Sequence, residues 1–365
     1  MRANMTTRIE NVRQVFTPLK IDGLLVANGT NMQYLTGFTG GTGDGLVLIG
    51  KDKAALITDS RYEDAYRNQL PAGVELLVTR NYWGVAMAAA RRFKIEKLGF
   101  EDTLAFRDFD YIDENFVGTD IAPVPDLVEA LREIKDAEEL NKLRHAADVA
   151  VAGFNDLLSE LHVGMTEREV ANLLDYKMKQ HGADKPSFDT IVASGYRGAL
   201  PHGTYSDKPI AQGELVTIDF GYYVEGYTSD ITRTIAFGEL DNESQNIYDV
   251  VLRAQKATIA AIKDGVSVSH LDDVARQIIT DAGYGEQYTH STGHGVGLDI
   301  HEGPILSGHV PAEEQIKTGM ILTIEPGIYV TDKGGVRIED DVIVTPDGFE
   351  NLTEGITTDL IVIDR

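Results

Sequence analysis

The chain contains no cysteine. Disulfides, thiolate zinc sites and cysteine nucleophiles are all excluded together. Positive charge is scarce, with 33 Lys plus Arg against 58 Asp plus Glu and a formal net charge of −25 at pH 7. A field of that sign repels polyanions, so nucleic acid and anionic membrane are poor partners. Long apolar runs are missing too: none approaches the ~20 residues that span a bilayer. The amino terminus, MRANMTTRIENVRQVF, lacks the apolar stretch of a signal peptide. These absences lead to the expectation of a cytoplasmic protein with no membrane contact. Met1 and Met5 both qualify as the start, and Trp83, the single tryptophan, reads as ordinary packing.

What is present begins with length. A chain of 365 residues exceeds the size at which one core stops growing, so two domains are expected. The first third alternates strand-like runs at 23–28, 45–50, 54–59 and 74–79 with helical patterns near 62–70, 83–93 and 107–116. Pro123 and Pro125 then stiffen an extended connector. The expected division is an α/β amino-terminal domain over 1–125, a linker over 126–134 and a larger α+β domain over 135–365. Apolar residues Leu140, Leu143, Ala147, Val151, Phe154 and Leu158 open that second domain at helical spacing.

The second domain carries a weak internal repeat. Residues 164–182 match 265–283 in length and apolar pattern. Thr166 with Glu169 forms a candidate capping box, and Ser269 with Asp272 a looser one. A hairpin pattern follows each helix, starting GELVTIDFG at 213 and GMILTIEPG at 319. In this register Asp219 corresponds to Glu325, and Asp230 to Glu339. Each half delivers two acids.

Those acids sit in apolar, β-branched runs, where an unpaired carboxylate costs several kcal/mol or is forced to protonate. Centring the first hairpin on Glu225–Gly226 sets Asp219 opposite Thr232 and Asp230 opposite Gly221. Side chains alternate faces, so the two acids become diagonal neighbours roughly 5–8 Å apart at Cβ. Glu325 and Glu339 share a face only if the loop through Asp332–Gly335 is odd in length or bulged. His294 lies between glycines in STGHGVGLDIHE. Four carboxylates and one imidazole suit Mn²⁺, Co²⁺ or Fe²⁺ better than a closed structural zinc site. Their charge balances two divalent ions, with Zn²⁺ a further alternative to Mn²⁺. A pair of such ions about 3.5–4 Å apart activates a shared water for hydrolysis.

At these residues the chain resembles the pita-bread metallopeptidases, above all the Xaa-Pro peptidases aminopeptidase P and prolidase, with methionine aminopeptidase more distant. The strings that carry the resemblance are SFDTIVASGYRGALPHG, TIDFGYYVEGYTSDITRT, HSTGHGVGLDIHE, TIEPGIY and GGVRIEDD. It implies a pita-bread catalytic domain with an internal pseudo-repeat, preceded by a smaller creatinase/prolidase-type domain. It also implies that Asp219 binds one metal, that Asp230 and Glu339 bridge both, and that His294 and Glu325 complete the second. Glu325 is then the general acid/base beside a bridging hydroxide. His202 and His301 match family positions that orient the scissile carbonyl or the proline and assist the leaving amine.

Arg337 shares the strand face of Glu339, as a partner of a ligand, a contact for the substrate carboxyl, or an ion pair with Asp341 or another acid. Tyr329 is a candidate for pocket lining, and His309 reads as a surface residue. GGTGDG at 40–45 lacks the spacing of a nucleotide loop. The resemblance also leaves Trp83 a second role, reaching the active site of a partner subunit. The leading expectation is a homodimeric exopeptidase that cleaves before a proline at the second position. Aminopeptidase P is favoured, with prolidase the alternative. A non-catalytic binding protein on the same fold is the rival from another class.

Overall fold

The computed structural model describes residues 2–364; Met1, one of the two candidate starts, lies outside them. The chain divides into two compact units, 1–132 and 133–365. The first contains a mixed six-stranded sheet. Its strands Gly23–Val26, Gly45–Gly50, Ala54–Thr58 and Val74–Val78 lie in the expected runs, joined by Lys97–Phe100 and Asp120–Pro123. Helices Glu63–Tyr66, Tyr82–Arg92 and Phe106–Asn115 fall within the helical patterns. Trp83 packs partly buried against this core, its ring 6.4 Å from Tyr111. Residues Leu127–Glu133, within the expected linker, form a helix instead. The proline pair ends at 125, and LVEALRE after it is a good helix former. No helix among the described residues is long and apolar enough to cross a membrane.

The second unit realises the repeat. Helices Ala137–Leu158 and Glu167–Gln180 precede one sheet, and Asn242–Ala260 and Val268–Asp281 precede the other. The first sheet joins Ile191–Ser194, Glu214–Phe220, Ile231–Phe237 and Val362–Ile363. The second joins Gly293–Gly295, Glu302–Leu306, Ile321–Ile324, Asp340–Thr345 and Gly348–Asn351. The long first helix starts at a capping box of Asp136 and Glu139, and buries Leu143, Ala147 and Phe154. Thr166 and Glu169 form their capping box as well. The looser pair does not. Ser267 is the N-cap of the equivalent helix, and Asp272 instead accepts hydrogen bonds from Arg276, Thr292 and the Gly308 N–H.

Both hairpin registers follow the expected parity. Asp219 faces Thr232, and the same register continues through Val224↔Tyr227 to the turn. Glu225 and Gly226 take φ of 51° and 83°, the paired left-handed conformation of a type I′ turn. In the second hairpin, Ile324↔Asp340 and Gly327↔Arg337 bracket Glu325 and Glu339, which therefore oppose each other on one face. The odd loop is the three residues 331–333.

Beneath the acids lies a buried ion pair. Arg233 donates to Asp340 Oδ1 at 2.6 Å, and both side chains are 1% exposed. The same guanidinium donates to the carbonyls of Glu339, Ile356 and Thr357. Gln255 and Thr353 donate to the Asp340 carboxylate. Removing one partner of such a pair strands the other charge in a dry environment. Arg233→Met should therefore destabilise the second unit by about 3–5 kcal/mol. Urea unfolding measures this, and an unchanged midpoint would show that the pair contributes little.

Candidate metal centre

The five residues come from five different chain segments. Asp219 lies within a strand, and Asp230 directly precedes Ile231–Phe237. His294 is the middle residue of Gly293–Gly295. Glu325 and Glu339 occupy the break between the two paired stretches of the second hairpin. Asp230, His294 and Glu339 are buried, and each offers a ligand atom such that all lie within 4.8 Å of one another. The His294 Nε2 is 3.6 Å from Asp230 Oδ2 and 3.6 Å from Glu325 Oε1. Asp219 adjoins this group through Arg337, whose Nη2 donates to its Oδ2 at 2.5 Å.

The electrostatics are those of acids forced together. Burial, then Glu339 and Asp219, drives the Asp230 pKa well above the ordinary carboxylate value. Burial, then Glu325 and Asp219, does the same to Glu339. Glu325 is pushed up to about 8, mainly by burial and against the pull of Arg337. His294 is held down to about 4 by burial, so it is neutral at physiological pH. Its Nδ1–H donates to the Gly295 carbonyl at 3.0 Å, which leaves the Nε2 lone pair facing the acids. Asp219 Oδ1 is buried without a hydrogen-bond partner. An orphaned carboxylate oxygen, a neutral imidazole with a free lone pair and three strained acids form a donor set that fits hard divalent cations.

Surrounding groups fix the ligands. Thr232 donates to Glu339 Oε2 at 2.7 Å and accepts from Arg337 Nε at 3.1 Å. Asp341 accepts the Asp230 backbone N–H at 2.8 Å. Arg337 Nη1 donates to the Tyr329 hydroxyl at 2.7 Å, and that hydroxyl donates to His290 Nε2 at 2.8 Å. The direction is set at the far end, where His290 Nδ1–H donates to the Ser291 carbonyl. The ion pair of Arg337 is thus with Asp219, not with Asp341. Among the two candidate histidines, His301 packs edge-on against His294 at 4.5 Å between ring centroids. Burial, then the charge of His202, lowers its pKa. His202 is exposed and acts electrostatically on both His301 and His290. His309 is exposed.

Sequence reasoning gave no site role to His290 or Thr232, and named Asp341 only as a possible partner of Arg337. The first had a signal, since it opens the HSTGH string four residues before His294. Thr232 stands two residues after Asp230, the spacing that shares a strand face.

Fold and site together define a metallopeptidase of the pita-bread class. The chain belongs to metallopeptidase family M24, which residues 141–346 match, while residues 8–134 match the creatinase/prolidase N-terminal domain. It is a metal-dependent hydrolase. An Xaa-Pro dipeptidase of Pyrococcus furiosus is 39% identical over 351 residues, 96% of this chain and 98% of its own. The structure of an Xaa-Pro dipeptidase from Bacillus anthracis is similar with a TM-score of 0.94 and 42% identity, covering 99% of this chain and 100% of that one. An X-Pro aminopeptidase from Thermotoga maritima gives a TM-score of 0.88 at 35% identity, with 97% and 99% covered. Each of these relatives is a peptidase, which leaves the rival reading of a non-catalytic binding protein without support.

The raised carboxyl pKa values carry a signed consequence. The folded, metal-free carboxyls bind more protons than they do in the unfolded chain, so their contribution to stability falls as pH rises, whereas His290 and His294, held down to about 4, contribute in the opposite sense below their ordinary value of 6.5. The acids act without that opposition between 6.5 and about 8, the Glu325 value. The melting temperature of chelated protein should fall across that window, and Mn²⁺ binding should release protons by calorimetry and remove the slope. A melting temperature that rises with pH would contradict the arrangement.

Proposed function

We propose that the chain is an Xaa-Pro dipeptidase. The observation that carries this reading is end-to-end similarity to Xaa-Pro dipeptidases in a chain that retains all five candidate ligands. The relatives favour this alternative over the aminopeptidase P reading that the sequence led with. Asp219, Asp230, His294, Glu325 and Glu339 would hold two divalent cations, with manganese the first choice. Such ions supply Lewis acidity and make water acidic enough to attack near neutral pH.

The chain's own groups do the rest. Glu325 stands beside His294. With divalent cations offsetting the burial that raises its pKa in the free site, it is a carboxylate able to take a proton from the attacking water and give it up again. The proline nitrogen departs as an amine, so cleavage must deliver a proton there. His202 and His301 are assigned to orient the scissile carbonyl and serve that nitrogen. Arg337 is assigned to holding Asp219 in place, because its guanidinium already spans Asp219, Thr232 and Tyr329. Tyr329 lines the pocket and fixes Arg337. The same reading takes 1–125 as the amino-terminal domain and 135–365 as the catalytic one, in a cytoplasmic homodimer.

Manganese-loaded protein should hydrolyse an Xaa-Pro dipeptide and leave an Xaa-Pro-Yaa tripeptide largely intact. Cleavage of the tripeptide alone would return the assignment to aminopeptidase P. Asp230→Ala and Glu339→Ala should each reduce turnover to background and lower metal content together, with the fold retained by circular dichroism. Near-normal turnover in either variant would remove that residue from the ligand set.

A further inference from the structure

One fully buried carboxylate lies outside the metal cluster and has no part in the reaction as derived. Glu167 is the first residue of helix Glu167–Gln180, and its side chain is 0% exposed. Its Oε1 accepts the Ser194 backbone N–H and hydroxyl, each at 2.8 Å. Its Oε2 accepts the Ser206 N–H at 2.9 Å, the Ser206 hydroxyl at 2.6 Å and the Arg197 guanidinium. Both oxygens are saturated. Thr166 and Glu169 cap this helix between them, and neither Glu167 oxygen accepts an N–H of its own helix. The charge on Glu167 therefore serves something other than the helix.

What it grips is a single loop. Ser194 and Ser206 are the two ends of one segment, and Arg197 lies inside it. The segment contains the 3₁₀ turn Gly195–Ala199 and then His202. Arg197 ties the loop internally by donating to the Thr204 carbonyl at 2.9 Å. Lys208 adds a second grip on Ser194, donating to its hydroxyl at 2.9 Å. The loop backbone also rests on the strand that carries Arg337. A Cβ at Gly198 would come within 3.0 Å of the Gly335 nitrogen, and one at Gly334 within 2.7 Å of the Gly195 carbonyl oxygen. Packing fixes the first half of the loop, whereas His202 itself is exposed in the second half.

We propose that Glu167 is a positioning residue, a clasp that closes the 194–206 loop and so sets where His202 stands over the site. The inference rests on the assignment of His202 under the proposed function. Glu167 touches no substrate. It acts by holding both loop ends by their backbone N–H groups, which no neutral side chain of its shape can do. In Glu167→Gln the amide NH₂ must face either the Ser194 pair or the Ser206–Arg197 group, where it meets donors with a donor.

The test is a double-variant cycle on manganese-loaded enzyme, together with limited trypsin digestion of the metal-free protein. His202→Ala should lower kcat/KM about tenfold or more, partly through KM, and Glu167→Gln should give the same kcat-against-KM split. The double variant should be no worse than His202→Ala, because two residues in one chain of cause are not additive. Trypsin should cut Glu167→Gln after Arg197 faster than wild type at a temperature well below the melting transition of both. Ser206→Ala, which removes one donor and keeps the buried charge, should show a weaker form of both effects and covers a failure of Glu167→Gln to fold. Additive losses in the cycle, or wild-type proteolysis and KM in both clasp variants, would overturn the clasp. Wild-type kinetics in His202→Ala would instead overturn the His202 assignment, a separate failure.

Discussion

Mutual repulsion among buried acids is the constraint around which the second unit is organised. Asp230 and Glu339 are 5% and 2% exposed, and each is raised by burial and by neighbouring carboxylates. A protein interior screens such charges far less than water does. Among the described residues, Arg337 is the one cation bonded to the carboxylate of a candidate ligand, and it serves Asp219. The fold therefore delivers an arrangement that protein groups alone leave undercompensated. Divalent cations supply the missing charge.

Keeping those acids in place requires a second layer with the opposite property. Arg233 and Asp340 are as buried as the ligands, yet their bonds to each other, to main-chain carbonyls, to Gln255 and to Thr353 leave them well satisfied. Arg233 reaches the Glu339 carbonyl, and Asp341 receives the Asp230 N–H. Arg233 thus orients the backbone of the strained layer from the satisfied one, while Asp341, whose Oδ1 is buried without a partner, belongs with the strained acids. The two hairpins need this help because Asp230, Glu325 and Glu339 fall where regular strand pairing stops.

Four of the five candidate ligands were legible in the sequence because each is an acid where an acid is costly, and period-two alternation converts hairpin centring into a face. Glu225–Gly226 had a recognisable turn, so the first register followed directly. The second depended on an odd loop that the residues allowed but did not demand, and the structure supplies it at 331–333. The helix Leu127–Glu133 was hidden by the prolines before it. Asp272 looked like a cap because its spacing from Ser269 fits one. Its actual partners, Thr292 and Gly308, lie 20 and 36 residues away, a separation that no local pattern contains. The Tyr329–His290 bond was invisible for the same reason, spanning 39 residues. Aminopeptidase P and prolidase share their motifs, so the choice between them came from full-length relatives instead.

Donor supply separates buried carboxylates that build from those that bind. Glu167 receives two backbone N–H groups, two hydroxyls and a guanidinium, leaving neither oxygen anything to offer. Asp219 keeps one oxygen wholly unpartnered, and Glu339 has a single hydroxyl donor in Thr232. All three lie in the same unit and are buried to a similar degree, so burial alone does not distinguish them. An acid fully bonded within the protein gains nothing from a cation and loses hydrogen bonds in binding one. An acid with an idle oxygen, repelled by its neighbours, gains on both counts. By that criterion a cation suits the acids at the hairpin breaks, beside which Asp341 also keeps an idle oxygen, and the equally buried carboxylate of Glu167 belongs to the scaffold of the 194–206 loop.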